Sequence, residues 1–153
     1  MSFSANNHEI SQSQFNSETI YIAVDTDTKI YKGSAVFVRE AKAVNGLEEG
    51  DVFAGICKET VRNGNRPYVC VDTKGVFAFN YSGSPQVGNF AYIDNSADNA
   101  TITTTAPVTG LSVCVGCIVD VSNGFAWVRI DNSIFNSVAD VTPEENDEAE
   151  GGE

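Results

Sequence analysis

The chain has 153 residues, 42% of them hydrophobic, and a formal net charge of −12. That is enough chain for one domain with a real core and hardly enough for two. The acidic balance repels phosphate backbones and anionic lipid surfaces, and no apolar run approaches the roughly 18 residues of a membrane span, so neither nucleic acid nor a membrane is expected as a partner.

Residues 1–18 are rich in Ser, Asn and Gln, with isolated Phe3, Ile10 and Phe15. They offer too little apolar surface to offset the entropy of ordering, so a flexible N-terminal arm is expected that orders only against a partner. The arm contains no Lys or Arg and no continuous apolar segment, unlike a secretory signal.

From Thr19 the pattern changes to short alternating runs. Strands are predicted over Thr19–Val24, Gly33–Arg39, Val52–Val61, Pro67–Val71, Gly75–Tyr81, Phe90–Ile93, Thr101–Thr105, Leu111–Val121 and Phe125–Ile130. Turn-forming clusters separate them, including Asp25-Thr26-Asp27, Asn63-Gly64-Asn65 and Ser82-Gly83-Ser84-Pro85. Ala41–Glu49 could hold one turn or a short helix. A Gly-led strand start appears both at Gly50-Asp51-Val52-Phe53 and at Gly88-Asn89-Phe90-Ala91.

The clearest local signal is Val115–Ile130, where Asn123-Gly124 joins two alternating runs as a tight hairpin turn demands. Phe125, Trp127 and Arg129 share one face of the second run, and Trp127 is expected to anchor the hairpin core beside Phe125. Phe77, Phe79 and Tyr81 form a one-sided aromatic row that suits either the chain's own core or a subunit contact. The expected fold is all-β: a compact antiparallel β-barrel or β-sandwich over residues 19–135. Residues 136–153 are expected to form a disordered acidic tail. Asp140–Glu153 alone holds seven acids and no base, leaving −5 for the rest.

Catalytic chemistry finds little footing. The single histidine, His8, lies in the arm, so a Ser or Cys nucleophile lacks its usual base, and no P-loop sequence occurs. Asp25-Thr26-Asp27 has calcium-like spacing but runs into Lys29 and Ile30 without the remaining ligands. Cys57, Cys70, Cys114 and Cys117 read as buried, reduced thiols. Cys114 and Cys117 are three apart on a strand, which sends their side chains to opposite faces and argues against a shared ion. No catalytic, cofactor or metal residue is assigned.

The order of Gly33-Ser34-Ala35-Val36, Gly50-Asp51-Val52-Phe53-Ala54-Gly55-Ile56, Gly75-Val76-Phe77, Val87-Gly88-Asn89-Phe90-Ala91-Tyr92-Ile93-Asp94, Thr101–Thr105, Val115-Gly116-Cys117-Ile118-Val119 and Ala126-Trp127-Val128-Arg129-Ile130 resembles a family of small tailed-bacteriophage capsid decoration proteins. The likeness covers about residues 19 to 131; the arm and the tail lie outside it, and Asn89 stands where the family has Asp. It implies a compact β-barrel or sandwich, often a homotrimer, on the outer surface of a virion capsid, made in the host cytoplasm. Its partner would be the major capsid protein, with a head-fibre component as a further one. Phe3, Ile10, Phe15, Phe77, Phe79 and Tyr81 are the candidate intersubunit or capsid contacts. The alternatives are a fibre-associated module binding host surface or glycan, and a small trimeric all-β nucleotide hydrolase of the dUTP-hydrolysing type, whose triphosphate the acidic C-terminus would repel.

Overall fold

The computed structural model describes residues 18–62, 64–95, 98–131 and 136–143. Among them there is no helix. The chain forms β1 (Thr19–Ala23), β2 (Ala35–Arg39), β3 (Lys42–Val44), β4 (Val52–Cys57), β5 (Tyr68–Asp72), β6 (Lys74–Ser82), β7 (Phe90–Asp94), β8 (Thr101–Thr103), β9 (Leu111–Ser122), β10 (Phe125–Asp131) and β11 (Ala139–Asp140). The all-β expectation holds, and every predicted run contains a strand.

Ten of the eleven strands divide into two five-stranded units, and β11 adds to β9 of the second. The first is a sheet in the order β1-β5-β4-β2-β3. It is curled so that its edge strands β1 and β3 lie against each other, tied by Lys42 Nζ to Asp25 Oδ1 at 2.6 Å. The second has the order β6-β10-β9-β7-β8 and is closed by a parallel β6–β8 ladder. These orders are the same once β1 to β5 are superposed in sequence order on β6 to β10. The chain is an internal repeat of one barrel topology.

Atomic detail supports the equivalence. Gly33 N–H donates to Cys57 O at 2.9 Å and Cys57 N–H to Ser34 O at 2.8 Å; Gly88 N–H donates to Ile118 O at 2.8 Å and Ile118 N–H to Asn89 O at 2.9 Å. Gly33 and Gly88 have φ of 87° and 95°. β4 bulges at Ala54-Gly55 against β2, and β9 bulges at Val115-Gly116 against β7. A Cβ on Gly55 would stand 2.3 Å from Asp72 O and 2.8 Å from Val71 Cγ1; one on Gly116 would stand 2.3 Å from Arg129 O and 2.8 Å from Val128 Cγ1. In both barrels a glycine is required so that the bulged strand can approach its neighbour. The Gly-led starts legible in sequence pair Gly50 with Gly88, whereas the true counterparts are Gly33 and Gly88.

Each barrel has its own filling. Ile20, Ile22, Val36, Ala54, Cys57, Val69 and Val71 pack in the first. Their counterparts in the register, Phe77, Phe79, Ala91, Val115, Ile118, Ala126 and Val128, fill the second. The larger cluster also takes in Ala35, Phe37, Phe53 and Ile56 from the opposite face of the first sheet, so that this outer wall is the seam between barrels. Asn99 closes the seam: its side-chain Nδ2 donates to Ala35 O at 2.8 Å and its backbone carbonyl accepts from Ala35 N–H at 3.0 Å.

Three expectations are corrected here. Ala41–Glu49 holds no helix; Lys42–Val44 is a strand, turned from β2 by Glu40 and Ala41 at φ of 52° and 65° without the usual glycine. In β10 the buried residues are Ala126, Val128 and Ile130. Trp127 therefore lies on the outer face, half-buried, opposite Ala78 in β6 and Asp120 in β9. The residues from 136 to 143 are not a free tail. Phe53 N–H donates to Asn136 O at 2.7 Å and Val138 N–H to Asp51 O at 2.7 Å. Val138 is buried, and β11 pairs with the start of β9, so this segment straps β4 of one barrel to β9 of the other. Residues 144–153 lie outside the described ones.

Asp51 explains why the strap docks there. Its buried carboxylate accepts from Arg39 Nε at 2.7 Å and Nη2 at 2.6 Å and from Glu48 N–H at 2.9 Å. Asp51 raises the Arg39 pKa through this hydrogen bond, so the guanidinium keeps its charge. The joint is thereby fixed where Gly50 N–H meets Val138 O at 2.8 Å.

Candidate functional site

The outer wall of the second barrel is built by the β9 bulge. With one residue per step, Cys114 and Cys117 would face opposite ways. In the structure Tyr92 pairs with Cys114 and Phe90 with Cys117, and residues two apart on β7 share a face. Val115 and Gly116 together occupy the single step between, which returns Cys117 to the outer face. The opposite-face expectation is thus overturned by a bulge that Gly116 permits.

Both thiols are half-buried rather than buried. Burial pushes the Cys114 thiol up, against a hydrogen bond to Gly116 O at 3.8 Å. Cys57 and Cys70 meet the buried expectation, and burial pushes Cys57 up to about 12. No group of three or more His, Cys, Asp or Glu suited to a metal occurs among the described residues.

Around the thiols stands an apolar row. Phe90 is 60% exposed and Val119, two positions beyond Cys117 on β9, is 40% exposed. Val87 is exposed beside them, where Gly88 joins the Ile118 carbonyl. A second bulge, between Trp127 and Val128, turns both Val119 and Asp120 outward. Trp127 covers the adjoining strip, with its indole Nε1 buried and no hydrogen-bond partner.

The first barrel has its own aromatic wall. Tyr21 pairs with Cys70 and Tyr68 with Ala23, which makes the two tyrosines diagonal neighbours on one face. They are 71% and 54% exposed, above a buried Cys70. Lys58, Glu59 and Arg66 flank this wall, with Arg66 Nη1 paired to Glu59 Oε2.

The expected contact residues fare unevenly. Phe77 and Phe79 are buried in the second barrel, so they serve their own chain's core and present nothing to a partner. Tyr81 is half-buried against the same cluster. Phe3, Ile10 and Phe15 lie outside the described residues. Sequence reading missed Tyr21, Tyr68, Phe90 and Val119, because alternation defines two faces without saying which of them is covered. The signal for Phe90 was present in its counterpart: position 35 is alanine at a seam, whereas position 90 is a large aromatic. No protein-family profile, curated protein or solved structure matches the chain.

Proposed function

We propose that the protein is a non-enzymatic accessory component of a tailed-phage virion that binds the outer surface of the assembled head and strengthens it. The observation that carries this reading is the pair of exposed outer walls, the tyrosines Tyr21 and Tyr68 on one barrel and the apolar Phe90 and Val119 on the other, held on paired strands. Aromatic residues exposed on a fixed scaffold are the usual anchors of protein contacts. A molecule with two such walls can join a neighbouring copy and a shell at once. The likeness in element order supplies the kind of shell: a lattice of major capsid protein, decorated by homotrimers.

A ligand that prefers the closed lattice to the opened one stabilises the closed state by its differential affinity. Repeated copies add avidity, so each contact can be weak. The apolar positions Phe3, Ile10 and Phe15 give the N-terminal arm a place in such contacts. In the test, purified protein is titrated onto heads assembled from the major capsid protein of the same phage and the mixture is sedimented. Saturable co-sedimentation that falls when residues 1–17 are removed, with Tyr21→Ser also weakening it, is expected. Protein that stays in the supernatant at all ratios refutes the reading.

A second reading has one observation in its favour. The diagonal tyrosine pair could stack on a sugar ring, as a host-surface or glycan-binding module would require. Binding of labelled protein to a glycan array, lost in Tyr21→Ser and Tyr68→Ser, would decide for it.

A further inference from the structure

The internal repeat makes two walls equivalent, and among the described residues only one of them is buried against another barrel. Through the register, Ala35, Phe37, Phe53 and Ile56 of the first barrel correspond to Phe90, Tyr92, Cys114 and Cys117 of the second. The first set is buried in the seam with the second barrel; in the second set Phe90 is 60% exposed and both thiols are half-exposed. We propose that the Phe90–Cys117 wall is the docking face for the first barrel of a second copy of this chain, in a head-to-tail association.

Three observations favour a second copy as the occupant. The chain already buries this wall of one barrel against a second barrel, so the contact type is present within the molecule. Repeat units that cannot cover a face alone stack on their neighbours, and a last unit leaves that face open. A wall used on one side of every unit is a heterologous contact, which builds a ring where the rotation between copies closes and an open filament where it does not. Finally, all four residues of the wall are uncharged in a protein of net charge −12, so like-charge repulsion is least where two copies would meet.

The contact between copies is not a duplicate of the internal seam. Asn99 clamps a small Ala35, whereas the counterpart is the larger Phe90, and the strap from 136 to 138 has no equivalent after β5, where Thr73 leads straight into β6. What carries over is the wall and its direction, with Phe90 as the anchor.

The inference stands on the repeat alone and does not depend on capsid binding, so it is tested with the isolated protein. The intact chain is expected to show a mass that is a multiple of 16.4 kDa by light scattering coupled to size exclusion. Phe90→Asp and, separately, Val119→Lys are expected to reduce it to the monomer with unchanged circular dichroism, since both side chains are exposed. Alkylation of Cys117, followed by peptide mass, should be slow in the intact chain and several-fold faster in these variants. Tyr21→Ser, on the other wall, should leave the mass unchanged. A monomeric wild type, or an oligomer that survives both wall variants, overturns the proposal; so does loss of the oligomer in Tyr21→Ser alone.

Discussion

Replacing Gly116 with alanine tests whether the two bulges do the same work. The new Cβ would meet Arg129 O at 2.3 Å and Val128 Cγ1 at 2.8 Å, where ordinary contact begins near 3.4 Å. Neither neighbour can yield easily, because one is ladder backbone and the other a β-branched core side chain. Overpacking of this kind costs about 1–3 kcal/mol, and contact with backbone places Gly116→Ala near the upper end, about 3 kcal/mol. At roughly 2–4 °C per kcal/mol for a chain of this size, the melting temperature should fall by about 6–12 °C. Gly55→Ala meets the same obstacles, Asp72 O at 2.3 Å and Val71 Cγ1 at 2.8 Å, and its φ of +150° adds backbone strain. Its loss should exceed that of Gly116→Ala by about 1 kcal/mol or more. Circular dichroism melts of both variants, with Val108→Ala as a control at an exposed position, supply the comparison. If both glycine variants melt within about 2 °C of the parent, the close approach at the bulges is wrong and the repeat loses its strongest physical support.

The strap gives a sharper expectation than acidity alone. Removing residues 144–153 should leave the melting temperature unchanged, while removing 136–153 strips Val138 from the core and should cost at least about 2 kcal/mol, seen in a urea titration. The β2–β3 turn holds Ala41 at φ 65°, so Ala41→Gly should stabilise by about 0.5–1 kcal/mol; a lower melting temperature would contradict the turn geometry. Cys57 sets an alkaline limit. Its thiol pKa rises from 9.0 to about 12 on folding, so the folded state holds the proton more tightly; the stabilisation is complete below pH 9 and is lost as pH climbs toward 12. Denaturation midpoints across that window should fall in the parent and fall less in Cys57→Ala.

Strand positions were legible because the core here is made by strict alternation between turn residues. The Asn123-Gly124 hairpin is the clearest case: φ values of 55° and 81° are those that the dipeptide adopts readily. β3 was missed for the converse reason, since Glu40-Ala41 makes a tight turn with residues that carry no turn signal. Alternation also cannot say which face is core: Ala126, Val128 and Ile130 are buried, and the bulkier Phe125-Trp127 face is outside. Nor does it register bulges, and one extra residue at Val115-Gly116 was enough to reverse the facing of Cys117. The seam between barrels depends on pairings between residues far apart in the chain, such as Asn99 with Ala35 and Val138 with Asp51. Nothing local encodes these.

The proposal that this chain decorates a phage head is tested most directly by cryo-electron imaging of heads with and without the purified protein. Added density is expected on the outer surface of the shell, at regular lattice positions, into which the two-barrel fold can be placed with the Phe90 wall against a neighbouring copy. Heads whose outer surface is the same in both samples, at protein concentrations well above saturation for a specific contact, would contradict it.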